Sequence, residues 1–181
     1  MDLKQVAKEI SNLVLLAPAI AYGVLLWEDP NFLVLAAAAF IFFAFVPQRI
    51  FDQSGKLPRN PKNKARAIRD SVLSYAAGFV VLWTFNAPAA VLAFSASVVV
   101  ANLLAYFITP HWMISTHSLM SVQSMTILAL KGRLEAIPIF AIFLIFGWAR
   151  IYLKAHTPAQ YVAGGIMGAA LTAMALTAAG G

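Results

Sequence analysis

The chain has 181 residues, 61% of them hydrophobic and only 11% charged, with a mean hydropathy of +0.80. Soluble domains carry about 25% charged residues, so composition excludes a water-soluble globule, a disordered segment and a nucleic-acid binder. The net charge of +6 therefore reads as membrane orientation and anionic partners, and the absence of Cys removes disulfides and thiolate metal ligands. What remains is an all-α, polytopic transmembrane helical bundle, a single membrane domain over residues 1–181.

A transmembrane helix needs roughly 20 apolar residues. A mixed amphipathic lead carries Asp2, Lys4, Lys8 and Glu9, and the first expected span runs over 10–27. The lead is charged and no signal-peptidase site follows, so this reads as a retained first helix. Glu28-Asp29-Pro30-Asn31 makes a tight polar break, and 32–47 crosses back. The long polar stretch 48–70 comes next. Spans over 71–85 and 89–108 then form a hairpin around Asn86-Ala87-Pro88. A short segment, 109–116, leads into helices over 117–130 and 136–154, separated by Lys131-Gly132-Arg133. The last helix covers 158–178. Seven crossings are expected, the fifth of them short.

With seven spans, the N-terminus and the segments 48–70, 109–116 and 150–157 share one side. That side holds Lys4, Lys8, Arg49, Lys56, Arg59, Lys62, Lys64, Arg66, Arg69, Arg150 and Lys154, against Lys131 and Arg133 on the other. The positive-inside rule places the richer side in the cytoplasm, in a protein integral to the cell membrane. All three histidines, His111, His117 and His156, fall on the same side. Only Asp2, Glu9, Asp52 and Asp70 are acidic there. The surface suits an anion and is poor in carboxylates for a divalent metal, so neither metal nor cofactor is expected.

Three stretches carry a family resemblance. The segment from Ala149 to Gly164 (ARIYLKAHTPAQYVAG) resembles the third motif of the type 2 phosphatidic acid phosphatases, SRxxxxxHxxxD. Ile114-Ser115-Thr116-His117 stands where their second motif, PSGH, would be, and Lys62 to Arg69 approximates the first, KxxxxxxRP. The likeness covers roughly 51–168, in a branch with an extra helical hairpin between motifs one and two. Departures are Gln160 for the motif Asp, Thr116 for Gly, Ile114 for Pro and Asp70 for Pro.

The resemblance implies a metal-independent phosphatase acting on a lipid phosphate or polyprenyl (di)phosphate. His156 would be the nucleophile, forming a phosphohistidine, and His117 would protonate the leaving oxygen. Arg150, Arg69 and Lys62 would clamp the phosphoryl oxygens, with Arg66 as the fallback, and Ser115 would add a hydroxyl. Gln160 would support His156, or else cap the last helix, since Thr157-Pro158-Ala159-Gln160 is a capping-box sequence. Lys56, Arg59 and Lys64 read as headgroup contacts and His111 as interfacial. The alternative is a catalytically weak or silent relative that binds anionic lipid or assists assembly.

Gly164-x-x-x-Gly168 with flanking alanines makes the last helix a small-residue packing helix. The packing is expected within the bundle, and the same face would also serve a homo-oligomer. The partners implied are the lipid substrate and membrane lipids.

Because the chain has no native cysteine, its orientation can be read directly. A Lys56→Cys variant should be protected from a membrane-impermeant thiol reagent in intact cells and labelled after permeabilisation. Labelling in intact cells would reverse the assigned side.

Overall fold

The computed structural model describes residues 2–13, 16–54 and 60–180, and every regular element among them is helical. Three helices are long and apolar enough to cross a membrane, Phe32–Ile50, Ala89–Ile108 and Pro158–Ala178. Leu16–Leu26 and Ala136–Tyr152 are shorter apolar helices. The outer surface is lined by exposed Leu33, Val80, Leu144, Ile166 and Met174. A belt of this kind is what a lipid environment, and not water, accommodates.

The expected first span is divided. Residues 3–12 form an amphipathic helix α1 (Leu3–Asn12), capped by the Asp2 carboxylate accepting from Lys4 N–H. The apolar helix α2 (Leu16–Leu26) starts afresh, with Pro18 in its first turn. Proline lacks the N–H and crowds the carbonyl four residues back, so a helix can begin around Pro18 but not run through it.

The second span is longer than expected. Helix α3 (Phe32–Phe40) passes through a π-helical turn, Ile41–Phe45, into α4 (Val46–Ser54), which takes in the start of the stretch expected to be polar loop. Pro47 causes the wide turn. In the π register the Phe42 carbonyl would accept from residue 47, and proline has no N–H to give. The Ser74 hydroxyl fills the gap, donating to Phe42 O at 2.8 Å. Lys56 and Arg59 lie outside the described residues.

Helix α5 (Pro61–Thr84) also starts earlier than expected, because Asn60 accepts from Asn63 N–H as N-cap and Pro61 sits at the first helical position. It is followed by α6 (Ala89–Ile108), α7 (Thr116–Leu130), α8 (Ala136–Tyr152) and α9 (Pro158–Ala178). Helix ends are closed by left-handed residues at Asn86, Gly132 and Lys154. At each, the following N–H returns to a carbonyl of the last turn, as in Ala87 to Leu82, Arg133 to Leu128 and Ala155 to Arg150. This is the Schellman closure.

Two ends of the bundle are fixed by contacts. Arg133 pairs with Glu28 at 3.7 Å, joining the α7–α8 turn to the α2–α3 turn. At the opposite end Lys64 of α5 reaches Ile114 before α7, and His156 before α9 reaches Met113. The exposed tryptophans split between them, Trp27 and Trp83 at the first end and Trp112 and Trp148 at the second. Interfacial aromatics distribute in this way across a membrane.

Helix α7 is the core of the bundle. Nearly all of Thr116 to Ser124 is buried, including Ser118, Ser121, Gln123 and Ser124. It lies parallel to α9, because Gly164 meets Ser115 and Gly168 meets Leu119, advancing together along both helices. A Cβ on Gly164 would stand 2.6 Å from Ser115 O, and one on Gly168 2.6 Å from Leu119 O. The small-residue face is thus used inside the bundle. Gln123 completes the core, donating to Ser97 Oγ at 3.1 Å, which in turn lies 3.2 Å from Thr172 Oγ1.

Gly164→Ala and Gly168→Ala should each cost about 1–3 kcal/mol, the range for forcing extra atoms into a tight contact. Thermal unfolding in detergent measures this. Gly23→Ala, where an added Cβ meets nothing within 4 Å, is the control and should change little.

Candidate active site

The segment Met113 to His117 is a hub at which four separate stretches of chain converge. Ser115 is the N-cap of α7, accepting from Ser118 N–H at 3.4 Å, and its own N–H donates to Gln160 O at 3.3 Å. Ser118 Oγ donates to Tyr161 O at 2.5 Å. These bonds, with the glycine contact above, bring the N-termini of α7 and α9 side by side. Two positive helix ends therefore face the same region.

His156 precedes the N-cap of α9 and is buried, at 6% exposure. The Schellman turn places it. Lys154 adopts φ 51°, and the N–H groups of Ala155 and His156 both point back to Arg150 O, at 2.8 and 3.4 Å. Arg150 in the last turn of α8 and His156 are thereby locked into one corner. His156 Nδ1 lies 3.0 Å from Met113 O, and Nε2 lies 3.3 Å from Lys64 Nζ.

Those two neighbours select a tautomer. A carbonyl only accepts, so the ring hydrogen sits on Nδ1. An ammonium only donates, so Nε2 presents its lone pair. Lys64 also donates to Ile114 O at 2.7 Å, which fixes its head beside the ring.

His117 is the second residue of α7 and stands edge-on to Phe146 of α8, with ring centroids 5.9 Å apart at 88°. Arg150 lies one turn beyond Phe146 on α8, so Arg150 is on the α8 face that carries the ring packed against His117. Tyr161 buttresses the corner: its hydroxyl donates to Phe143 O at 2.6 Å and its ring fills the space left by Gly147.

The structure thus places His156, the Arg150 carbonyl it is bonded to, and His117 at the same end of the bundle, around the start of α7. Ser115 is fully buried and its oxygen serves the helix cap. Gln160 closes the capping box, its Oε1 accepting from Thr157 N–H at 3.0 Å, so it is a cap and the Met113 carbonyl orients His156. Lys62, Arg66 and Arg69 are not brought into this corner. They are exposed, and Arg69 pairs with Asp70 at 2.7 Å. At about 100° per residue, these three fall on the side of α5 roughly opposite Lys64. Lys64, read from the sequence as a headgroup contact, is instead the basic residue of this helix that meets His156 and Ile114. His111 is exposed.

Among the described residues, no three His, Asp or Glu side chains are grouped to hold a metal ion. No protein-family model matches the chain, and neither a curated protein nor a solved structure matches it.

Removing Gln160 as Gln160→Ala should cost about 1 kcal/mol of stability, the worth of a helix cap. It should leave the His156 ring nitrogens unchanged in ¹⁵N NMR, with hydrogen on Nδ1. A switch of tautomer in this variant would give the orienting role back to Gln160.

Proposed function

We propose that this chain is an integral membrane phosphatase of lipid phosphates or polyprenyl (di)phosphates, working without metal through a phosphohistidine on His156. The single observation that carries the reading is the buried His156, its Nδ1 held by a carbonyl and its Nε2 lone pair turned toward a lysine ammonium. A nucleophilic nitrogen with a cation beside it fits an incoming phosphoryl group. Seven crossings, with the Lys64–His156 end in the cytoplasm, complete the reading.

The phosphoryl group would enter between His156 Nε2 and the two cations. Lys64 moves from the ring nitrogen onto a phosphoryl oxygen, a short swing for a flexible side chain, and Arg150 takes further oxygens with its planar fork. The N-terminus of α7 offers its free N–H groups to the same charge. The Nε2 lone pair attacks phosphorus, the bond from phosphorus to the lipid oxygen breaks, and His117 passes a proton to that oxygen. Water then attacks the phosphohistidine while His117 takes its proton back, releasing phosphate and restoring His156. The lipid tail stays in the apolar surroundings of the bundle throughout.

Purified protein should release phosphate from a polyprenyl or glycerolipid phosphate in the presence of EDTA. His156→Ala and Arg150→Ala should each lower kcat/KM by about a hundredfold or more, the usual worth of such groups. Lys64→Met should fall in the same class and Lys62→Met should not. Brief reaction with ³²P-labelled substrate should leave acid-labile label on His156. Absence of turnover on every lipid phosphate, with normal folding, would favour a binding protein instead.

A further inference from the structure

The cations of α5 divide between two faces, and only one of them is Lys64. Lys62, Arg66 and Arg69 follow the spacing i, i+4, i+7, so they form one stripe along the outside of the helix. The stripe continues upward as Leu73, Ala77 and Val80, all exposed, with Leu73 at 68% and Val80 at 54%. A single outward face therefore changes from basic to apolar at Asp70. A surface meeting a soluble protein has no need of that change. A surface crossing from headgroups into acyl chains requires it. The basic part rises about 10 Å along the helix, comparable with the interfacial layer of roughly 5–8 Å per leaflet once long side chains spread along it.

We infer that Lys62, Arg66 and Arg69 form a docking stripe for anionic phospholipid headgroups, separate from the His156 corner. The occupant is lipid because the apolar continuation of the stripe gives the acyl chains a place beside the headgroup contacts. Asp70 offsets Arg69 through its 2.7 Å ion pair, leaving two net charges to attract the headgroup. Two such charges favour an anionic over a zwitterionic headgroup by about tenfold or more. The inference does not require catalysis, since none of the three cations is in the proposed machinery.

Native mass spectrometry of the full chain in neutral detergent, doped equally with phosphatidylglycerol and phosphatidylcholine, tests it. The native chain should retain phosphatidylglycerol about tenfold over phosphatidylcholine. The triple variant K62Q/R66Q/R69Q should fall to near parity, and K62R/R66K/R69K, which keeps the charges, should restore the preference. K64Q should retain it. Equal retention of the two lipids by the native chain would overturn the inference, as would an unchanged preference in the glutamine triple variant. Loss of preference in K64Q would place the lipid in the His156 corner, and displacement by excess inorganic phosphate would mark a free-anion site. Either would also overturn it.

Discussion

The close parallel contact of α7 with α9 is the constraint on which the rest depends. Parallel helices that are not consecutive need an antiparallel partner between them in sequence, and α8 supplies it. Gly164 and Gly168 let the α7 carbonyls of Ser115 and Leu119 approach where any Cβ would collide. The consequence is electrostatic. Two helix N-termini, the Lys64 ammonium and the Arg150 guanidinium are drawn toward one end of the bundle, close to an apolar and weakly screening interior. Helix N-termini and cations gathered at one end favour an anion there, so the packing that builds the core also sets the electrostatics of the proposed site.

Within that corner, the chemistry of His156 follows from which atoms flank it. A carboxylate at Nδ1 would orient the ring and also stabilise its cationic form. The Met113 carbonyl provides the orientation with only a dipole's worth of charge. In the proposed reaction His156 would depend on other groups to make phosphoryl transfer favourable, and Lys64, 3.3 Å away, is one of them. Such a group would act on the phosphate once it leaves the ring nitrogen. The proposed site thus shifts stabilisation from the nucleophile to the transferring group.

Much of this was legible in the sequence, and the misses have physical causes. The helices 89–108 and 158–178 were readable because long apolar runs end at Pro88 and at a capping box, both local signals. Parity along the chain was enough to bring His117, Arg150 and His156 to one end. The first span was misread because hydropathy does not register what Pro18 does to a backbone. Pro47 was taken as a stop, yet Ser74, distant in sequence, satisfies the carbonyl it orphans. Lys62 was preferred because Lys62 to Arg69 matches the motif spacing, and Lys64 was read as a headgroup contact within a stretch expected to be polar loop. Only once it is a helix does its register decide which lysine faces inward. The Met113 carbonyl could not be found at all, since every residue carries one.

The buried polar face of α7 completes the logic. At 15 residues it is about 22 Å long, well short of the roughly 30 Å of bilayer hydrocarbon. A helix of that length with five buried polar side chains would be unstable facing lipid. Packed among α2, α6, α8 and α9 it is screened from lipid, and Gln123 and Ser118 satisfy neighbours across the interfaces. Its shortness then becomes useful. Beside α6 and α9, each some 30 Å long, α7 fills only part of the bundle's height, with its N-terminus level with that of α9. In the proposed reaction, a lipid headgroup would meet the α7 N-terminus while its tail stayed in apolar surroundings. On that proposal, the position of the α7 N-terminus would set how far a phosphoryl group must come to reach the histidines.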